Sequence, residues 1–370
     1  MKVLHILYSG LGGHGNVFFS MVEADTKKEY EFEALFTGVE PIRQEYLERC
    51  KINTVPFTYV NKIPGKKHFS FFYNVFKEVM KSNADVIFIH GSMMLVPAWL
   101  AKKINNSNKK IIVRETQAIH LKTNREKKAL DFSMKLADKI VFLSEEYRNQ
   151  IQIDMGGYFK PEKTHVIPNG IDLNFFSPVK LSNKRSVIKI GMQSRIVAIK
   201  DHKTLLAAFK VVIEREPNQL FELIIAGDGE MLSELKEIAK NLNISKNTVF
   251  TGLLAEKNLP AFLNDLDIYV HASFGETMST AIMQAMACGK AIIASDVDGI
   301  KNMITDGENG LLVEVKNEKK LAEKILLIVK NDELKTKLEN NAHKKAQLAF
   351  SNTRMFNSYK KIFHFNNMAD

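Results

Sequence analysis

HASFGETMSTAIMQAMACGKAIIASDVD, residues 271–298, decides how the rest of the chain is read. The run DIYVHAS that leads into it is β-branched and apolar enough for a buried parallel strand, and it stops where Ser273, Phe274 and Gly275 let the chain turn. A loop follows. Ser279 or Thr280 is placed to cap a helix whose interior, TAIMQAMA, is rich in helix formers and which Gly289 stops; KAIIAS then starts the next strand. A helix that opens at the carboxyl end of a parallel strand is an anion site, because its unpaired N–H groups and its dipole both favour phosphate. Glu276 lies in the loop and Gln284 lies further along the helix. Helical side chains lean toward the N-terminus, so one ligand can touch both. Taken alone, a solvated loop acid and a surface amide explain the pair equally well.

Upstream, the α/β alternation runs through VIKIGMQSR, TLLAAFKVVI, FELIIAGDGE, SELKEIAKNL and TVFTG. Arg195 and Lys200 flank the loop after GMQS, beyond a strand end, where a guanidinium and an ammonium can clamp a diphosphate; a solvated loop is the plainer alternative. Gly227-Asp228-Gly229 ends another strand as a turn that lets a ligand approach the backbone, with the acid as a helix cap.

The first half repeats the pattern. KVLHILYSG opens onto Gly10-Leu11-Gly12-Gly13-His14-Gly15 and a helix from about Asn16, a glycine-rich β–loop–α unit whose spacing is not the dinucleotide fingerprint. EFEALF, the segment around Val55, DVIFIH, KIIVRE and KIVFLS supply further strands. His90, Glu115 and His120 fall at or just beyond strand ends, the ligand face of an open α/β sheet, though each alone is more simply structural. In FSFFYNVFKEVM the aromatics fit a helix burying one face, with Phe69 and Tyr73 at its edge and Lys62, Lys66, Lys67 and His68 before it; a surface resting on anionic lipid is the second reading. Pro168-Asn169-Gly170 forces a turn, and the polar link after Pro178 marks the expected domain boundary, giving domains 1–178 and 179–350. The tail predicts two amphipathic helices and a last, aromatic one over 351–370 that packs on the first domain.

At 370 residues the chain is comfortable for two α/β domains. Its charge of +10 points to an anionic partner, yet the lysines are scattered and no aromatic–basic signature of nucleic-acid binding appears. No apolar run approaches the roughly 20 residues of a membrane span, and MKVLHILYSG breaks too early for a signal peptide, so a cytoplasmic protein is expected. Cys50 and Cys288 have no disulfide or metal spacing, and no clustered acids suggest magnesium.

VIPNGIDLNFFSP, SRIVAIKDHKTLLAAF, IIAGDGE, TGLL, AMACGKAIIASDVDGI and DGENGLLV together resemble a family 4 glycosyltransferase of the GT-B fold, over nearly the whole chain. The resemblance implies two Rossmann-like domains facing across a cleft. A nucleotide-diphosphate-sugar donor would be held mainly by the second and a saccharide or lipid-linked acceptor by the first. It implies transfer with retention, without a metal, and with no cofactor beyond the donor as co-substrate. On this chain Arg195 and Lys200 would neutralise the diphosphate and Glu276 would meet hydroxyls of the transferred sugar. Backbone N–H groups around Thr277, Met278, Ser279 and Thr280 would cradle phosphate, with Gly227 beside them. Gln284 would meet the ribose, Leu253 and Leu254 the base, and Gly12 and Gly13 the diphosphate and acceptor. Two departures stand out: the second member of the family's acidic pair is the amide Gln284, and Glu115 replaces a histidine near the transferred sugar, with His120 close by to compensate. Relatives of this kind build bacterial surface polysaccharides, and the basic surplus leaves an anionic membrane face open as a further partner. A nucleotide-sugar epimerase or phosphorylase, and a non-catalytic nucleotide-sugar-binding protein, remain as alternatives.

Overall fold

The computed structural model describes the chain except for residues 11, 65–67, 118, 180–185 and 366–370; for 68, 120 and 156 it describes the backbone only. The chain forms two compact units, residues 1–170 with 352–370, and residues 171–351.

In the first unit the strands are β1 (Lys2–Tyr8), β2 (Glu31–Gly38), β3 (Phe57–Asn61), β4 (Val86–His90), β5 (Lys110–Arg114), β6 (Lys139–Phe142) and β7 (Thr164–Val166). They form one parallel sheet in the order β3-β2-β1-β4-β5-β6-β7. Its helices are α1 (Gly13–Ala24), α2 (Gln44–Ile52), α3 (His68–Lys81), α4 (Leu95–Ile104), α5 (Asn124–Leu136) and α6 (Glu145–Asp154). Strand residues alternate between faces, and both faces are apolar. Val3, Phe36, Phe88 and Ile112 join a core with residues of α1 and α2, while Leu4, Leu35, Ile87 and Ile111 join one with residues of α3 to α6. That two-sided burial is why the strands read as continuous hydrophobic runs.

The second unit carries β8 (Val187–Gln193), β9 (Leu220–Ala226), β10 (Thr248–Gly252), β11 (Ile268–His271), β12 (Ala291–Ser295) and β13 (Leu311–Val313), a parallel sheet in the order β10-β9-β8-β11-β12-β13. Around it lie α7 (His202–Arg215), α8 (Leu232–Asn241), α9 (Leu259–Asp265), α10 (Thr280–Ala287), α11 (Asp298–Lys301), α12 (Glu318–Val329) and α13 (Asp332–Ala349). The last helix, α14 (Asn352–Phe363), belongs to the first unit, where Met355, Phe356, Tyr359 and Phe363 enter the core with Phe18 and Phe88.

The boundary falls at 170/171, ahead of the 178/179 that the polar link suggested. Ile171 N–H donates to Phe350 O at 2.8 Å, Ile171 bridges to Ser351, and Ile171 and Phe176 are buried with Ile282 and Phe350. The segment before the link is therefore part of the second core. Each sheet reverses its strand order once, between β1 and β4 and between β8 and β11, and the crevice at such a switch is where open α/β sheets bind ligands.

Candidate active site

The switch point of the second sheet gathers the decisive residues. Its two central strands end at Gln193 (β8) and His271 (β11). The loop after β8 is strapped to the end of β11, since Asp201 N–H donates to Ala272 O at 3.1 Å, Phe274 N–H to Ile199 O at 2.9 Å and Ser273 Oγ to Ile199 O at 3.2 Å. Those bonds carry Lys200 to Glu276, where the ammonium pairs with Oε1. Ser279 caps α10, its hydroxyl accepting from Ile282 N–H at 3.4 Å. A helix start leaves its first N–H groups without intrahelical acceptors, so the positive end of α10 opens beside this pair.

His271, 1% exposed, organises the pocket from behind. Its Nε2 lies 2.7 Å from Glu276 Oε1 and 3.3 Å from Ser279 Oγ, and its Nδ1 lies 3.2 Å from Tyr269 Oη. Burial lowers the His271 pKa, so the ring is neutral; an ionised carboxylate only accepts, so Nε2 carries the proton, and the unprotonated Nδ1 lies beside the Tyr269 hydroxyl, which donates to Gln193 O at 3.2 Å. Burial pushes the Glu276 carboxyl up, but the Lys200 ammonium and the His271 hydrogen bond outweigh it and bring the pKa down to about 2. Glu276 is thus a fixed anion. His202, brought down to about 4 mainly by burial, has Nδ1 3.0 Å from Lys200 O and so holds the lysine loop from below.

The expected residues divide into those that meet and those that do not. Gln284 is buried, and Gln193 Nε2 donates to its Oε1 at 3.1 Å. The amide oxygen therefore already accepts one bond, and what Gln284 offers a ligand is its N–H donors and one remaining lone pair; Gln193 Oε1 is left buried without a partner among the described residues. Arg195 is exposed and pairs with no carboxylate among the described residues. Leu253 is exposed beyond β10, while Leu254 packs partly against the core, as does Met278.

Gly227, read in the sequence as a turn that lets a ligand approach the backbone, is required by the fold itself. A Cβ there would lie 1.9 Å from Ser194 O, and its neighbour Asp228 accepts from Ile196 N–H at 2.8 Å through its carbonyl, so this turn shapes the loop that carries Arg195. Asp228 is not a helix cap either; its side chain accepts from Gly229 N–H, and α8 begins after Met231 without a side-chain cap.

In the first unit, Gly12 and Gly13 begin α1 at the end of β1, with no capping side chain and no acid in the first turn, which leaves that helix start open. His14 Nε2 lies 3.2 Å from Thr116 Oγ1 and ties this loop to the one after β5. Glu115, which the resemblance set near the transferred sugar, is engaged by the protein itself. It is 1% exposed and its carboxylate accepts from Lys122 Nζ (2.7 Å), Ser92 Oγ (2.8 Å), Thr116 N–H (2.9 Å) and Gln117 N–H (3.1 Å). Four donors saturate it, so it staples the loop. His90 is likewise interior, its Nδ1 3.4 Å from Arg114 Nη1 and its Nε2 3.1 Å from His5 Nδ1. The His120 side chain, Lys66 and Lys67 lie outside the described residues. Sequence reasoning assigned no role to His271 or Gln193, because each ends an apolar strand and reads as part of it.

Comparison with known proteins agrees along the chain. Residues 11–175 match Glycosyltransferase Family 4, and residues 175–345 match Glycosyl transferases group 1. The chain is 28% identical over 235 residues to an uncharacterized glycosyltransferase of Methanocaldococcus jannaschii, a match covering 62% of this chain and only 59% of that protein. It is 22% identical over 383 residues to the Escherichia coli UDP-Gal:alpha-D-GlcNAc-diphosphoundecaprenol alpha-1,3-galactosyltransferase, covering 98% of this chain and 96% of the relative. Among solved structures, Anabaena HepE in complex with UDP and glucose superposes with a TM-score of 0.82 at 19% identity, covering 98% of this chain and 99% of that one, which establishes likeness of fold. Both halves of the chain and both of its sheets lead to one assignment: this protein belongs to the group 1, family 4 glycosyltransferases and has the GT-B fold.

Proposed function

We propose that the protein is a retaining transferase that moves a sugar from a nucleotide-diphosphate-sugar to a saccharide or lipid-linked acceptor. Its setting would be bacterial surface polysaccharide or glycoconjugate synthesis at the cytoplasmic face of the membrane. The observation that carries this reading is the Lys200–Glu276–His271 cluster at the open N-terminus of α10. As the glycosidic bond loosens, negative charge grows on the departing diphosphate, and a preorganised ammonium, guanidinium and helix start stabilise it best where water is scarce. Lys200 and Arg195 supply the charge, the N–H groups at Ser279 and Thr280 the cradle, and Glu276, held anionic, an acceptor for hydroxyls of the transferred sugar. The incoming hydroxyl loses its proton to the leaving phosphate on the same face, which retains configuration. Acceptors such as the diphosphoundecaprenol-linked sugar of the E. coli relative fit this scheme. Among the described residues no helix is long and apolar enough to cross a membrane.

A thermal-shift panel of uridine, guanosine and adenosine nucleotide sugars tests the donor class, and NMR of the product tests its anomeric configuration. No shift with any member of the panel would favour the non-catalytic binding protein, and a rearranged or phosphorylated sugar released without acceptor would favour an epimerase or phosphorylase. Chelation with EDTA is expected to leave the rate unchanged.

Gln284 gives a sharper prediction. Gln284→Glu keeps an oxygen for Gln193 Nε2 and adds a charged acceptor for ribose, so donor affinity is expected to rise about tenfold, the difference between neutral and charge-assisted hydrogen bonding. Titration calorimetry with the donor reads this directly, and unchanged or weaker binding would show that the amide's N–H is the group the ligand needs.

A further inference from the structure

The first unit has a concavity that the donor chemistry leaves unused. Between α3, α4 and α5 lies a groove of about 520 Å3, within the roughly 300–1,000 Å3 of ligand sites. It exists because α3 is apolar on more than one face. Phe71, Val75 and Val79 are spent on the sheet, whereas Phe69, Phe72, Tyr73 and Phe76 line the groove opposite Leu100 of α4 and Phe132 of α5. Its lips are open to solvent: Phe69 is 79% exposed, Tyr73 and Phe132 50% each. Exposed aromatics gathered around one hollow mark a binding surface.

The charge at the rim has one sign. Arg125 and Lys128 are the charged residues lining the groove, and no carboxylate lines it among the described residues. Arg125 sits over the Phe72 ring at 5.6 Å and Lys77 over the Tyr73 ring at 5.6 Å, so cations and aromatics occupy the same level. That pairing, hydrocarbon below and cations at the edge, suits an amphiphile with an anionic head. A free sugar or nucleotide would find no hydrogen-bonding floor. A second copy docking through the same face would bring its own Arg125 and Lys128 against these.

We propose that this groove takes up one hydrocarbon chain of an anionic phospholipid, with Arg125 and Lys128 holding the phosphate, so that the first unit docks on a bilayer leaflet. The inference is independent of the donor site, because its lining lies wholly in the first unit.

The test is flotation of the full chain with phosphatidylglycerol–phosphatidylcholine vesicles against phosphatidylcholine alone. Binding is expected with the mixed vesicles only and is expected to fade with salt. Arg125→Ala with Lys128→Ala should weaken it about 30-fold. Ala129→Phe fills the groove without changing charge, and Phe132→Ser, at an exposed position, removes one lip; each should weaken binding about tenfold. Equal flotation with phosphatidylcholine alone, or undiminished binding by Ala129→Phe, overturns the proposal. So does self-association without vesicle binding. Donor titration of the same variants separates this result from the donor reading, since donor affinity should stay at the wild-type value.

Discussion

Lys200→Ala is expected to slow sugar transfer by about 10²–10³-fold, the cost of losing one preorganised group aimed at charge that develops in the transition state. It should also destabilise the fold, which separates it from Arg195→Ala. The Lys200 ammonium is the largest of the influences that hold Glu276 ionised against its own burial. Folding lowers the Glu276 pKa from an ordinary 4.5 to about 2, and a shift of that size corresponds to about 3 kcal/mol. Because the folded value is the lower one, this stabilisation is complete above pH 4.5 and is lost as the pH falls toward 2. Without Lys200, burial is opposed by His271 alone and most of that stabilisation disappears. The wild type should therefore be the more stable at pH 7 by up to about 3 kcal/mol, with the gap closing between pH 4.5 and 2. Urea unfolding of both proteins across that range checks the sign. Arg195 is exposed, so Arg195→Ala should unfold like the wild type while also transferring slowly. Near-normal transfer by both variants would remove the basis of the proposed mechanism.

Gly299→Ala should damage activity from outside the pocket. A Cβ on Gly299 would lie 2.0 Å from Glu276 O and 2.8 Å from Thr277 C, both backbone atoms, so the loop itself has to move. Overpacking of this kind costs about 1–3 kcal/mol. The larger effect is positional. Glu276 is held on the other side by His271 and Lys200, and pushing its backbone away breaks a geometry in which about 1 Å is worth roughly 10²-fold in rate. The expected outcome is a folded enzyme with a modestly lower Tm and about 100-fold less activity, read by calorimetry and a transfer assay on one preparation. Unchanged kinetics would mean that Glu276 does not need its present position.

Much of the fold is legible in the sequence. The strands announce themselves because a parallel sheet buried on both faces demands unbroken apolar runs, and the Ser279 cap follows from local hydrogen bonding. Lys200, Glu276 and Gln284 stand out in the sequence because they follow strand ends or enter a helix, the places where open α/β sheets hold ligands, and folding pairs Lys200 with Glu276 and Gln193 with Gln284. Glu115 misled for the same reason. It stands at a strand end, but its saturation depends on Ser92, which is 23 residues away in sequence, and on Lys122 folding back. The groove was only half legible, since the edge aromatics of α3 gave no sign of what α4 and α5 would set opposite them.

The order of residues determined the two α/β units, their caps and turns, and which side chains stand at strand ends, because backbone preference and hydrophobic periodicity act over a few neighbours. Folding decided which of those side chains are partnered, buried or free. Lys200 and Glu276 are 76 residues apart along the chain, and Gln193 and Gln284 are 91 apart. Charge and hydrogen bonding act through space, in a medium that exists only once the chain has closed around them. The anionic state of Glu276 and the inward turn of Gln284 are therefore properties of the folded protein that no local stretch contains.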